Sequence, residues 1–371
     1  MPELYPPDRC GSLQDRLEPA GLDAVFITPS ADLRYLTGYA ATVLERLTCL
    51  VVPRSGEPFL VVPQLERPAA QASPAGRLGF PILPWAETDD PFAIVAQRLG
   101  DRPRRVAVGN RMWAQHALGL QGALPGVELT LADPVIRQLR MRKSAAEVEA
   151  LRRAGAAIDR VHARCADFLR VGRTERAVGA DIGAAIIEEG HASVDFIIVG
   201  SGPNAASPHH EVSDRVIERG DVVVVDIGGT TEEGYCSDST RTYVVGADPE
   251  PDFVRYYEVL RRAQDAACAA VKPGVTAESV DAAARDIITE AGYGEQFFHR
   301  TGHGIGLESH EEPYIVSGND EPIDPGMAFS IEPGIYFAGR HGARIEDIVV
   351  CTEAGVERMN DQPREAVVLP G

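Results

Sequence analysis

Five residues of this 371-residue chain carry side chains that together do metal chemistry: Asp226, Asp238, His303, Glu332 and Glu346. They lie in the segments VVVVDIGG, GYCSDSTRT, HRTGHGIG, FSIEPGIY and ARIEDIVV. Carboxylates brought together repel one another, and that repulsion raises their pKa values unless positive charge sits between them. Divalent metal is the usual source of that charge, and four carboxylates with one imidazole suffice for two ions. Hard oxygen donors with a single nitrogen point to Mn²⁺ or Co²⁺, with Zn²⁺ and Fe²⁺ as alternatives, over a thiolate-bound structural zinc. Any one of these acids taken singly reads as a solvated charge at a strand end. All five in such contexts do not.

The elements that must position them are legible in outline. Asp226 follows the apolar run 222–225, a buried-strand pattern, and Gly228 and Gly229 are then expected to open a turn. A second strand beginning near Tyr235 and carrying Asp238 makes a hairpin with its tip at 231–234. Glu332 closes the apolar strand 327–331, which Pro333-Gly334 breaks, and Glu346 leads into a short strand at 348–350. Long helices are expected over 144–170, 174–190, 252–271 and 276–291, the first with Ser144 and Glu147 forming a capping box. Helix pairs followed by hairpin-rich segments, twice over, predict an α+β fold with helices covering one face of a curved sheet.

These segments resemble the metal-binding motifs of the pita-bread metallopeptidases: prolidase (Xaa-Pro dipeptidase), aminopeptidase P and methionine aminopeptidase. The match covers residues 140–360, with all five ligand positions filled in order. Asp226 and Asp238 stand twelve residues apart, one more than the commonest family pattern, and the longer tip at 231–234 absorbs the difference. The resemblance implies a pita-bread catalytic domain over 138–371. Residues 1–137, reading as alternating helix and strand, are similar to the α/β creatinase/prolidase N-terminal domain, most clearly over Ser30 to Tyr39. The resemblance also implies a homodimer, with the N-terminal domain of one subunit near the other's site.

Within that resemblance, Asp226 chelates one ion, Asp238 and Glu346 bridge both, and His303 and Glu332 complete the second. A water held between the ions is the nucleophile and Glu332 its general base. His209, His299 and His310 match the histidines placed around bound substrate: His209 near the scissile carbonyl and proline ring, His310 donating to the carbonyl oxygen. His210 is the sequence rival of His209. Arg344 and Tyr336 are candidate substrate-binding residues, Arg344 equally an ion-pair partner for a ligand carboxylate. His116, His162, His191 and His341 read as structural. The glycines of GHGIG, lacking the Lys-Ser/Thr ending of a phosphate loop, let backbone approach metal and substrate.

Methionine aminopeptidases resemble only the catalytic block, so the additional N-terminal block points to the proline-specific branch. The expected reaction is Xaa-Pro dipeptide hydrolysis, with aminopeptidase P as the alternative. A creatinase-like hydrolase or a non-catalytic pita-bread binding module would have lost ligands that are present here. A dipeptidase needs a cation for the free carboxylate after proline, and Arg300 and Arg340 are the candidates. The net charge of −19 argues against nucleic acid or anionic membrane as partner. No apolar run is long enough for a membrane span and the N-terminus lacks a secretory pattern. Six scattered cysteines without a CxxC pair fit a reduced, cytoplasmic protein. Cys236, two residues before Asp238, is expected on the same side of its strand, in a packing role.

Overall fold

The computed structural model describes residues 3–100 and 103–370. They form two compact units that divide after Arg140. No helix among the described residues is long and apolar enough to cross a membrane.

The first unit is built on a six-stranded mixed sheet. Its strands are β1 (Ala24–Ile27), β2 (Cys49–Pro53), β3 (Phe59–Pro63), β4 (Ile82–Trp85), β5 (Arg105–Val108) and β6 (Glu128–Leu131), in the order β4-β3-β2-β1-β5-β6. The central strands read as buried apolar runs and were expected. The two edge strands were not, because β4 carries Pro84 and β6 is half-exposed. Proline within a run is tolerated at a sheet edge, where one side of the strand needs no partner.

The second unit opens with helix Ala145–Ala163, started by the expected capping box between Ser144 and Glu147. The single long helix read from sequence is broken at Arg164, and a short helix, Cys165–Phe168, follows. Apolar contacts continue across the break, since Val161, Cys165, Phe168 and Leu169 all join one core cluster. Helix Glu175–Glu188 packs next, and helices Pro251–Ala270 and Ala277–Glu290 form the corresponding pair in the second half. The halves repeat one device. Thr174 and Thr276 each cap the second helix of their pair by accepting from a backbone N–H, and Gly190 and Gly292 each follow that helix at positive φ.

Eleven strands complete the unit: β7 (His191–Ser201), β8 (Val222–Thr231), β9 (Ser239–Val245), β10 (Gly302–Gly304), β11 (Glu311–Ile315), β12 (Ala328–Ile331), β13 (Gly334–Phe337), β14 (His341–Arg344), β15 (Asp347–Thr352), β16 (Gly355–Arg358) and β17 (Val367–Leu369). They make a four-stranded sheet, β17-β9-β8-β7, a five-stranded sheet, β11-β10-β12-β15-β16, and the hairpin β13-β14. A single bridge between Thr240 and Glu346 joins the first two sheets. Along β8, Val223, Val225 and Ile227 are fully buried in one core with helices Ala145–Ala163 and Glu175–Glu188. Each such side chain contributes about 1.5–3 kcal/mol. Side chains alternate along a strand, so this packing turns Asp226 to the opposite face.

Candidate metal centre

All five residues of the expected ligand set line one cavity of about 440 Å³. Asp226 sits mid-strand on β8, opposite Ile198 of β7 and Thr240 of β9. Asp238 does not lie on a strand as read from sequence. The chain between Thr231 and Ser239 is irregular, with one isolated bridge from Cys236 to Thr230, and Asp238 immediately precedes β9. Cys236 correspondingly faces away from the cavity, its thiol 3.5 Å from the Thr230 hydroxyl. His303 is the middle residue of β10, Glu332 directly follows β12, and Glu346 occupies the bridge between β14 and β15.

Asp238, His303 and Glu346 are buried and offer ligand atoms within 4.8 Å of one another. Nδ1 of His303 lies 3.1 Å from the Gly304 carbonyl, to which it donates, so Nε2 is the nitrogen turned towards the carboxylates. That Nε2 lies 3.1 Å from Glu332 Oε1 and 3.7 Å from Asp238 Oδ2. Asp226 Oδ1 and Glu346 Oε1 are buried with no hydrogen-bond partner. Burying a carboxylate oxygen without a partner is costly, and a cation removes the cost. Burial, then mutual repulsion, pushes Asp238 and Glu346 well above the usual carboxylate range, and burial raises Asp226 as well. Burial acts to raise Glu332 too, but the hydrogen bond and charge of His303 hold it at about 2. Orphaned oxygens, an imidazole nitrogen facing them and carboxylates raised above their ordinary range fit a bound divalent metal.

Supporting side chains set the ligands in place. Thr240 donates to Glu346 Oε2 at 2.7 Å, and Ser330 donates to Glu332 Oε1 at 3.0 Å. Both stand two residues from a ligand, Asp238 and Glu332 respectively, a strand-alternation signal that the sequence reading did not use. Arg344 lines the cavity, yet its guanidinium is engaged by Asp226 (2.6 Å), Tyr336 (2.7 Å), Thr240 (3.1 Å) and the Pro208 carbonyl (3.2 Å). Of the two roles read for Arg344, the geometry gives the ion pair. Tyr336 is buried behind that guanidinium, its hydroxyl 3.1 Å from His299 Nε2, and lines neither this cavity nor the one beside it. The GHGIG glycines also differ from expectation. A Cβ on Gly302 would collide with the Ser330 carbonyl and one on Gly304 with the Glu312 carbonyl, so these glycines admit neighbouring strands.

A second cavity of about 540 Å³ shares His209, His310, Glu332 and Arg344 with the first and adds Ser207, Phe298, His299 and Arg300. His310 directly precedes β11, with its ring 3.9 Å from that of His303. Burial, and then the nearby positive charge of His303 and Arg300, pushes His310 down to about 4. His209 is exposed and lines both cavities, whereas its neighbour His210 lines only the first and is held at 2.7 Å by Glu175. Arg300 stacks 4.4 Å over the Tyr314 ring, and Arg340 points elsewhere, pairing with Asp252. His162, His191, His116 and His341 are each hydrogen-bonded within the fold, as read.

Residues 149–353 match the model of metallopeptidase family M24, and residues 9–142 match the Creatinase/Prolidase N-terminal domain. A protein named "Probable dipeptidase PepE" from Mycobacterium bovis is 57% identical over 351 residues, covering 95% of this chain and 93% of the relative. A protein named Xaa-Pro dipeptidase from Lactobacillus delbrueckii subsp. lactis is 37% identical over 366 residues, covering 96% and 98%. The crystal structure of dipeptidase PepE from Mycobacterium ulcerans superposes with a TM-score of 0.93 at 57% identity, over 98% of this chain and 97% of that one. A cavity built to hold metal, inside a fold shared along nearly the whole chain, makes this protein a member of metallopeptidase family M24 with a creatinase/prolidase-type N-terminal domain.

Proposed function

We propose that the protein is a metal-dependent Xaa-Pro dipeptidase. The observation that carries the dipeptide reading is Arg300. It lines the cavity beside the metal centre, and no carboxylate pairs with it among the described residues. A free cation beside an active site is suited to the carboxylate that follows proline in a dipeptide and is absent from that place in a longer peptide. The names of the relatives support the same reading.

Asp226, Asp238, His303, Glu332 and Glu346 would hold two divalent ions, Mn²⁺ or Co²⁺ in this reading. When bound, the ions supply Lewis acidity and a water whose pKa falls towards neutrality. Glu332 accepts the proton of the attacking water and returns it to the leaving nitrogen. For an Xaa-Pro bond that nitrogen belongs to a tertiary amide with no N–H, so shape and metal must do the recognition. His310, neutral at pH 7 because its pKa lies near 4, donates an N–H to the carbonyl oxygen as it becomes tetrahedral. Such a donor contributes about 3 kcal/mol. In this reading His209, exposed and shared by both cavities, contacts the substrate near the scissile carbonyl and proline ring. His299 holds Tyr336, which holds Arg344, which holds Asp226. Six free, buried cysteines support a reducing, cytoplasmic location, and a homodimer completes the reading.

The test compares Ala-Pro with Ala-Pro-amide, which lacks the terminal charge. Wild type should favour the free acid by roughly 10-fold or more, and Arg300→Met should lose most of that preference through KM. Equal turnover of acid and amide by wild type would remove the basis for a carboxylate clamp.

A further inference from the structure

Resting on the dipeptidase reading, we propose that Asp195 and Glu211 form a cation-selecting edge of the active-site cavity, so that its preferred substrates begin with lysine or arginine. Both residues line the same cavity as the five ligands, and both are exposed where the ligands are buried. Neither has an ion-pair partner among the described residues.

The local backbone places Asp195 there by an irregularity in β7. The β7–β8 register shifts between Val194 and Phe196, leaving Asp195 as an extra residue in its strand. Val194 and Ile197 both pack into the helix-side core, three positions apart, which strict alternation along a strand does not allow. The bulge absorbs the difference, and Asp195 lines the cavity together with Phe196, Ile197 and Ile198. Bulges beside active sites commonly re-aim a side chain in this way. Thr230 then fixes the carboxylate, donating to Oδ2 at 2.7 Å and leaving Oδ1 only a 3.4 Å contact from Ser193. Glu211 is held by its neighbours, because His210 and Ser213 are both tied to buried Glu175, at 2.7 and 2.6 Å.

Between the acidic edge and the metal centre, the cavity wall is apolar. Phe196 and Ile198 line it, with Phe196 lying so close over Gly228 that a Cβ there would meet its ring at 2.5 Å. An apolar floor ending in carboxylates matches a side chain with an aliphatic stem and a charged head. The α-amino group is the other cation in a dipeptide, but it sits one carbon from the scissile carbonyl and so stays near the buried ligands. The exposed edge is left for the head of a long side chain.

The test measures kcat/KM for Lys-Pro against norleucine-Pro, which keeps the stem and lacks the ammonium. Wild type should favour Lys-Pro by about five-fold, expressed in KM and weakened by salt. The double variant Asp195→Asn, Glu211→Gln should bring the ratio near one. Equal turnover of the two peptides by wild type, or a ratio that survives the double substitution, overturns the acidic edge while the dipeptidase reading stands. Absence of cleavage of these peptides and of Ala-Pro overturns both.

Discussion

Arg344 Nη2 lies 2.6 Å from Asp226 Oδ2, while the other oxygen of that carboxylate is buried without a partner. In the proposed reading one oxygen of Asp226 is held by the protein and the other serves the metal. Arg344 is itself 2% exposed. Removing one partner of a buried pair costs about 3–5 kcal/mol because the remaining charge has no solvent. Arg344→Met should therefore destabilise the metal-stripped protein by that amount in urea unfolding, with Arg344→Lys intermediate, since an ammonium cannot meet four acceptors in a plane. A loss below about 1 kcal/mol would contradict this account of the pair.

Metal should stabilise the fold more strongly as pH rises. Burial lifts Asp226, Asp238 and Glu346 above their ordinary carboxylate values in the metal-free protein. A group with a raised folded-state pKa gives stability that is complete below its unfolded pKa and is lost as pH climbs through the folded one. The metal-free protein therefore weakens upward from about pH 4, the unfolded carboxylate range. Metal replaces the retained protons. Melting temperature with and without Mn²⁺ should separate more at pH 8 than at pH 5, and an equal separation would count against the shared site.

His310→Ala should lower kcat on Ala-Pro by about 100-fold and leave KM within a few-fold, because a donor aimed at the developing oxyanion acts chiefly in the transition state. A rise in KM at constant kcat would make His310 a ground-state contact instead.

The candidate ligands were legible because each sits in a short apolar context, as Glu332 does before the stop at Pro333, although the turn read at Gly228 and Gly229 is absent and β8 runs through them to Thr231. Periodicity also marked three of the four long helices to within a few residues at their ends, and missed only the break at Arg164 in the first. What it did not show was backbone irregularity. Asp238 reads as a strand residue but lies just before β9, and the bulge that turns Asp195 inward leaves no trace in the alternation of residue types. Long-range partners were equally hidden. Nothing near Glu175 announces that it holds His210, and nothing near Gly302 announces the carbonyl of Ser330. Choosing between Arg300 and Arg340 required knowing which one met Asp252.

The most direct test loads metal-stripped protein with Mn²⁺ and compares kcat/KM for Ala-Pro and Ala-Pro-Ala, before and after loading. The account predicts no turnover without metal, efficient cleavage of the dipeptide with it, and little release of alanine from the tripeptide. Comparable cleavage of the tripeptide would contradict the carboxylate clamp at Arg300, and inactivity on both peptides with metal bound would contradict the proline-specific reading altogether.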